Sequence, residues 1–116
     1  MKQSGQIVLF HFPQTDLQSG KSRPALLIGK LPGQYDDWLI CMISTQLRHH
    51  IDGFDEIVQT TDADFEQTGL KEPSVIRVGR LAVVNGNVLL GAVGEIAPHR
   101  LHRVKQNLSE WILQVE

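Results

Sequence analysis

Cysteine occurs once in this chain of 116 residues, and aromatic side chains make up only 6% of it. A lone cysteine cannot close an internal disulfide, so Cys41 is expected as a buried thiol in a reducing compartment. No long hydrophobic run is present: the longest, Trp38 to Ile43, falls far short of the roughly 20 residues that span a membrane. The opening Met-Lys-Gln-Ser-Gly-Gln has none of the apolar stretch of a signal peptide. Charge of one sign is scarce too, with 11 Lys+Arg against 13 Asp+Glu and a net charge of −2. Nothing pulls the whole molecule toward nucleic acid, so any such binding must come from a local basic patch. Repeats, linkers and low-complexity tracts are also missing. These absences leave one cytoplasmic domain over residues 1–116 with no membrane segment.

The usual signatures of bound cofactors are missing as well. His49-His50 followed by Asp52 offers ligand chemistry, but adjacent side chains diverge and Cys41 has no partner cysteine. The glycines lie in turns without the flanks of a phosphate loop, and no serine sits in a nucleophile elbow. The expectation is no metal and no cofactor.

Apolar alternation is plentiful. Gln6 to Phe12 carries two apolar sets, Ile7/Leu9 and Val8/Phe10/Phe12, as a strand buried on both faces does. Pro24 suits the first residue of a strand over Ala25 to Ile28, since proline gives the ladder no donor. Trp38 to Ile43 predicts a third strand and Phe54 to Val58 a short one. Thr61 to Gly69 reads as one helical turn, capped by Thr61 or Asp62 and stopped by Gly69. Asn85-Gly86, the pair a type I′ turn prefers, predicts a hairpin between Ser74–Val84 and Asn87–Ile96. Gly79, Gly91 and Gly94 then mark bulges or bends. Pro98 opens a helix whose Leu101, Val104, Leu108, Ile112 and Val115 form the docked face, with Arg100, Arg103, Gln106, Asn107 and Glu110 opposite. The expected fold is mainly β with a C-terminal α-helix, a small antiparallel barrel.

Chemistry concentrates at two strand ends. Lys21, Ser22 and Arg23 put two cations and a hydroxyl just before the second strand, and Ser44, Thr45 and Gln46 follow the third. If those strands are neighbours, the groups converge at one rim and make a cradle for a phosphate, which the arginine fork fits. The alternative is structural: Arg23 pairs with Asp16 or Asp37, and Ser44 to Gln46 merely end a strand.

Three segments carry a resemblance: Gly5-Gln-Ile-Val-Leu-Phe-His-Phe-Pro-Gln-Thr-Asp16, Lys21-Ser-Arg-Pro-Ala-Leu-Leu-Ile28 and Cys41-Met-Ile-Ser-Thr-Gln46. Together with Gly69-Leu-Lys-Glu-Pro-Ser-Val-Ile-Arg-Val78 and the final helix, they resemble the MazF/PemK toxin family in order and over nearly the whole length. The resemblance implies an SH3-like barrel dimer of the CcdB/MazF/PemK kind. It also implies a sequence-selective, metal-independent endoribonuclease of a type II toxin–antitoxin system, held in check by a cognate antitoxin. Arg23 matches the family's catalytic arginine in its Arg-Pro motif, and Ser44 falls where the family usually has a catalytic threonine, with Thr45 next to it. Gln6, His11 and the Gly79-Arg80 pair depart from the family pattern, in which acidic residues are common at those places.

RNA brings its own nucleophile, so such a site needs alignment, charge stabilisation and proton transfer rather than metal-bound water. Arg23 would clamp the phosphate and Ser44 would donate to a non-bridging oxygen. Guanidinium stays charged at neutral pH, which leaves proton transfer to another group. His11 is one candidate and a half-buried structural histidine is the alternative. Lys21, Ser22, Thr45, Gln46, Arg77 and His11 are the expected contacts to single-stranded RNA. Arg48 and Arg80 could add charge, and Phe12, Tyr35 or Phe54 could stack on bases. Two further readings stay open: a toxin-fold protein that inhibits a protein target such as gyrase through Trp111 and its neighbours, and a homologue that binds RNA or antitoxin without cutting.

Overall fold

A computed structural model describes residues 2–10 and 22–116 of the chain. Among these residues six strands form one antiparallel sheet: β1 (Gln6–Phe10), β2 (Arg23–Lys30), β3 (Asp37–Ser44), β4 (Glu56–Val58), β5 (Ser74–Asn85) and β6 (Ala92–Glu95). Their spatial order is β4-β5-β3-β2-β1-β6, so the sheet keeps two short edges and curls into a half-barrel. A short helix α1 (Phe65–Thr68) and a long one, α2 (Pro98–Gln114), complete the fold. No helix among the described residues is long and apolar enough to cross a membrane.

The two-faced apolar pattern of the strands has a direct structural meaning. One face carries Ile7, Leu26, Cys41, Ile43, Ile76 and Val78, packed under Val104 and Leu108 of α2. The other carries Val8, Phe10, Ala25, Leu27, Trp38 and Ile40. β1, β2 and β3 therefore contribute to both clusters by alternation, as central strands buried on both faces do. Burial first, and Asp55 second, push the Cys41 thiol far above its ordinary range, so it stays protonated and inert.

Three irregularities bend the sheet. The β2–β3 register shifts between Leu27 and Gly29, and the β1–β6 register shifts beside Gly94. The largest lies between β3 and β5: Cys41 faces Leu81 and Ile43 faces Ile76, so residues 77–80 of β5 stand against Met42 alone. Such an excess forces the longer strand to buckle outward. Gly79 sits in the buckle under the ring of Phe54, where an added Cβ would approach the ring to 3.3 Å.

The predicted hairpin is not formed. β5 runs through Asn85, residues Gly86–Val88 make a 3-10 turn, and β6 pairs with β1 at the far edge of the sheet. Neither Asn85 nor Gly86 has the positive φ that a type I′ turn demands. The Gly86 N–H instead donates to the Asp36 carbonyl at 2.7 Å, and Gly86 is buried against Asp36. Tertiary packing has claimed the glycine for a close approach.

The helices also depart from their sequence reading. α1 begins after Asp64 rather than Thr61 or Asp62, but Gly69 stops it as predicted, in a left-handed conformation (φ 73°). Pro98 takes the first turn of α2 as expected. On α2, Leu101, Val104 and Leu108 dock, whereas Ile112 and Val115 stand in solvent beside Leu113, which is 84% exposed. Arg100, assigned by periodicity to the solvent side, is only 5% exposed. Its guanidinium is drawn inward by carboxylates that the helix pattern does not contain.

Candidate active site

Register brings the two predicted strand ends together. Ala25 faces Met42 and Leu26 faces Cys41, and the same ladder continued two residues sets Arg23 opposite Ser44. Directly opposed residues share a face with their Cα atoms about 5 Å apart. Arg23 also faces Phe10 on its other side, while Ser44 faces Val75, so a row from β1 to β5 crosses the rim.

This rim opens into a groove of about 770 Å³ between the strand ends and the segment that follows α1. Arg23, Ser44, Thr45, Gln46 and Arg77 all line it. Ile76 and Val78 belong to the core under α2, so alternation turns Arg77 to the other side. Of the remaining expected contacts, Ser22 precedes β2 half-buried and is not on the groove wall. His11 and Lys21 lie outside the described residues.

Local hydrogen bonds set the groups in order. Ser44 Oγ accepts the Gln46 N–H at 3.0 Å, which leaves the hydroxyl proton free to donate. The Gln46 amide oxygen in turn accepts from Arg48 Nη1, tethering that guanidinium at the groove edge. Arg48 and His49 sit in a 3-10 turn, Leu47–His49, packed against β5 and closed by the His49 N–H donating to Gln46 O at 3.0 Å. Arg23 makes no ion pair with Asp37, and Asp16 lies outside the described residues. Arg23, Arg48 and Arg77 have no carboxylate partner among the described residues. Three guanidinium groups with no carboxylate partner among the described residues, and a hydroxyl, thus stand around one opening, a set of donors whose chemistry suits an anionic oxygen group.

The far wall is held by backbone contact. A Cβ on Gly69 would sit 2.2 Å from the Val93 carbonyl oxygen, and one on Gly94 would sit 2.3 Å from Gln67 O. α1 and β6 thus meet without side chains between them, and Gly69, Leu70 and Val93 become part of the groove.

A second cavity, of about 700 Å³, lies where β4, the loop before α1 and the start of α2 meet. Its chemistry is closed on itself. Arg100 donates to Asp64 from Nε and Nη2, both at 2.9 Å, to Asp62 at 2.8 Å, to Glu56 at 3.2 Å and to the Ile57 carbonyl. Burial opposes the Arg100 charge, but hydrogen bonds to Asp64 and Asp62 outweigh it and raise its pKa. The same contact holds Asp64 at about 2, against the opposing effect of burial. Asp64 also accepts the Ala97 N–H at 3.0 Å, so one carboxylate fixes both the start of α2 and its arginine.

Sequence reasoning missed His49 as a groove residue. The adjacent His50 lines the other cavity, so the pair diverges as expected of neighbours. Arg77 and Arg80, which lie in the β5 stretch opposite Met42, are close enough for their charges to act on that histidine.

Over residues 3–112 the chain matches the family described as "PemK-like, MazF-like toxin of type II toxin-antitoxin system". Among solved structures it is similar to an endoribonuclease in complex with its cognate antitoxin from a mycobacterial species. That similarity has a TM-score of 0.65 and 13% identity, and covers 100% of this chain and 99% of that one. It is also similar to the Mycobacterium tuberculosis toxin MazF-mt6, with a TM-score of 0.62 and 16% identity over 92% and 95% of the two chains. A search of curated proteins finds no match. At these identities the structural likeness speaks to the fold.

Proposed function

This chain belongs to the PemK-like, MazF-like toxins of type II toxin–antitoxin systems, and we propose that it is a sequence-selective endoribonuclease acting on single-stranded RNA in the cytoplasm without a metal. One observation carries the reading: Arg23 at the start of β2 and Ser44 at the end of β3, antiparallel neighbours, line the same groove, whose arginines have no carboxylate partner among the described residues. The solved neighbour that is an endoribonuclease lends the reading further support.

The reaction follows from that geometry. A bound phosphodiester lies between the Arg23 guanidinium and the Ser44 hydroxyl. Arg23 takes two oxygens in its fork and offsets the charge that grows on the non-bridging oxygens. Ser44 donates to a non-bridging oxygen, and Arg77 and Arg48 hold flanking phosphates. The ribose 2′-oxygen attacks phosphorus and the 5′-oxygen leaves, giving a 2′,3′-cyclic phosphate and a 5′-hydroxyl. Thr45 and Gln46 offer hydroxyl and amide groups to base edges.

The working form is a homodimer, and its cognate antitoxin masks the groove with an acidic segment that pairs the open guanidinium groups. Incubation of the pure chain with a long RNA in EDTA tests the activity. Discrete cuts ending in cyclic phosphate, abolished by Arg23→Ala, are the expected result. An intact RNA overturns the reading.

A second reading is favoured by the end of α2, where Trp111, Ile112, Leu113 and Val115 are exposed. A toxin acting on a protein target such as gyrase would use that surface. Growth arrest that survives Arg23→Ala but not Trp111→Ala would establish it.

A further inference from the structure

We propose that His49 accepts the proton of the attacking 2′-hydroxyl, an inference that rests on the RNA-cleaving reading above. That reaction still lacks a group to take the 2′-hydroxyl proton. Arg23, Arg48 and Arg77 remain protonated at neutral pH, and Ser44 is a donor, so none of them can take a proton. Among the described residues of the groove wall, two side chains can: His49 and Glu72.

Geometry favours the histidine. His49 lies in the turn that immediately follows Ser44-Thr45-Gln46, tied back to Gln46 by its own N–H. Its Nδ1 is shielded from solvent and has no hydrogen-bond partner among the described residues. A doubly protonated ring carries two N–H donors, and here one of them would be left unsatisfied. The surroundings therefore keep the ring neutral, with a lone pair.

The electrostatics agree. Partial burial, then Arg77, Arg48 and Arg80, hold His49 below its ordinary value of 6.5. The charged groups near it or around the groove come from four places: Arg48 on its own turn, Arg77 and Arg80 on β5, Arg23 at the start of β2, and Lys71 and Glu72 on the segment after α1. Cations prevail, and a general base that is already neutral near pH 7 is the outcome. In the step itself the 2′-O–H bond breaks and its proton passes to a ring nitrogen. The O2′–P bond forms and the P–O5′ bond breaks. The departing oxygen takes a proton from water, and the imidazolium returns its own to solvent.

The test is the pH dependence of kcat/KM on a short RNA carrying the mapped cut site, measured from about pH 5 to 9. The native chain should lose activity on the acid side with a midpoint below the 6.5 of an ordinary histidine. His49→Ala should cost about 100-fold in kcat with little change in KM, and His49→Gln about as much. The acid limb should vanish in both, and added imidazole should restore part of the His49→Ala rate. Binding of a 2′-deoxy analogue by His49→Ala should match the native chain, which shows that the fold and groove persist. His50→Ala, facing the other cavity, should cleave normally. An acid limb that survives His49→Ala, no rescue by imidazole, or a limb abolished by Glu72→Gln instead overturns the proposal. If Arg23→Ala loses cleavage while His49→Ala keeps it, this inference alone fails. If the native chain cuts nothing, the RNA-cleaving reading fails with it.

Discussion

Arginine appears in two cavities of this molecule in opposite conditions. Arg100 meets three carboxylates and a carbonyl within 3.2 Å, and its side chain is nearly sealed from water. Arg23, Arg48 and Arg77 line a groove of similar size and meet no carboxylate among the described residues. The first charge is consumed in joining β4, the loop before α1 and α2. The others remain available to an anionic ligand. Identical side chains thus divide between holding the fold and facing an open groove, and the difference lies in the partners that each has been given among the described residues.

The largest effect is expected at Arg100. Arg100→Ala leaves Asp64 buried without its counter-ion and should destabilise the chain by about 3–5 kcal/mol, read from urea unfolding. Arg23→Ala should do the reverse. Cleavage should slow by about 100- to 1,000-fold, while unfolding shifts by less than about 0.5 kcal/mol for an exposed side chain. Equal effects of the two variants on stability would erase the distinction.

Acid sharpens it next. Asp64 titrates at about 2 in the folded chain, against 3.8 in an unfolded one. A depressed carboxylate contributes stability that is complete above the unfolded value and lost as pH falls through the folded one. The contribution is about 2 kcal/mol, fading between roughly pH 5 and pH 2. Unfolding curves across that window should show the slope, and Asp64→Asn should flatten it. The smallest effect belongs to Ser44. Removing one hydrogen bond to a charged oxygen, Ser44→Ala should slow cleavage by about tenfold, with the melting temperature unchanged.

Much of the sheet was legible because strands buried on both faces must be apolar at consecutive positions, as Val8, Leu9 and Phe10 or Leu26, Leu27 and Ile28 are. The convergence of Arg23 and Ser44 needed only that β2 and β3 be neighbours, which short connections favour. Asn85-Gly86 misled because local turn preference is weak against a buried contact with Asp36. Arg100 misled for a related reason. Its periodicity places it opposite the docked stripe, and the carboxylates that recruit it lie 36 to 44 residues earlier. His49 could not be located at all, because the 77–80 buckle that surrounds it with cations arises from an unequal pairing of strands. Distance in sequence, rather than weakness of the interaction, is what hid these features.

Where Gly69 presses on the Val93 carbonyl, the spacing between α1 and β6 is a gauge made of main chain. Such a gauge does not change when side chains do. Along the opening, side chains such as Leu70 and Glu72 can be exchanged while the spacing set at Gly69 stays as it is. Variation in the lining, with constancy in the frame that carries it, is what this construction permits.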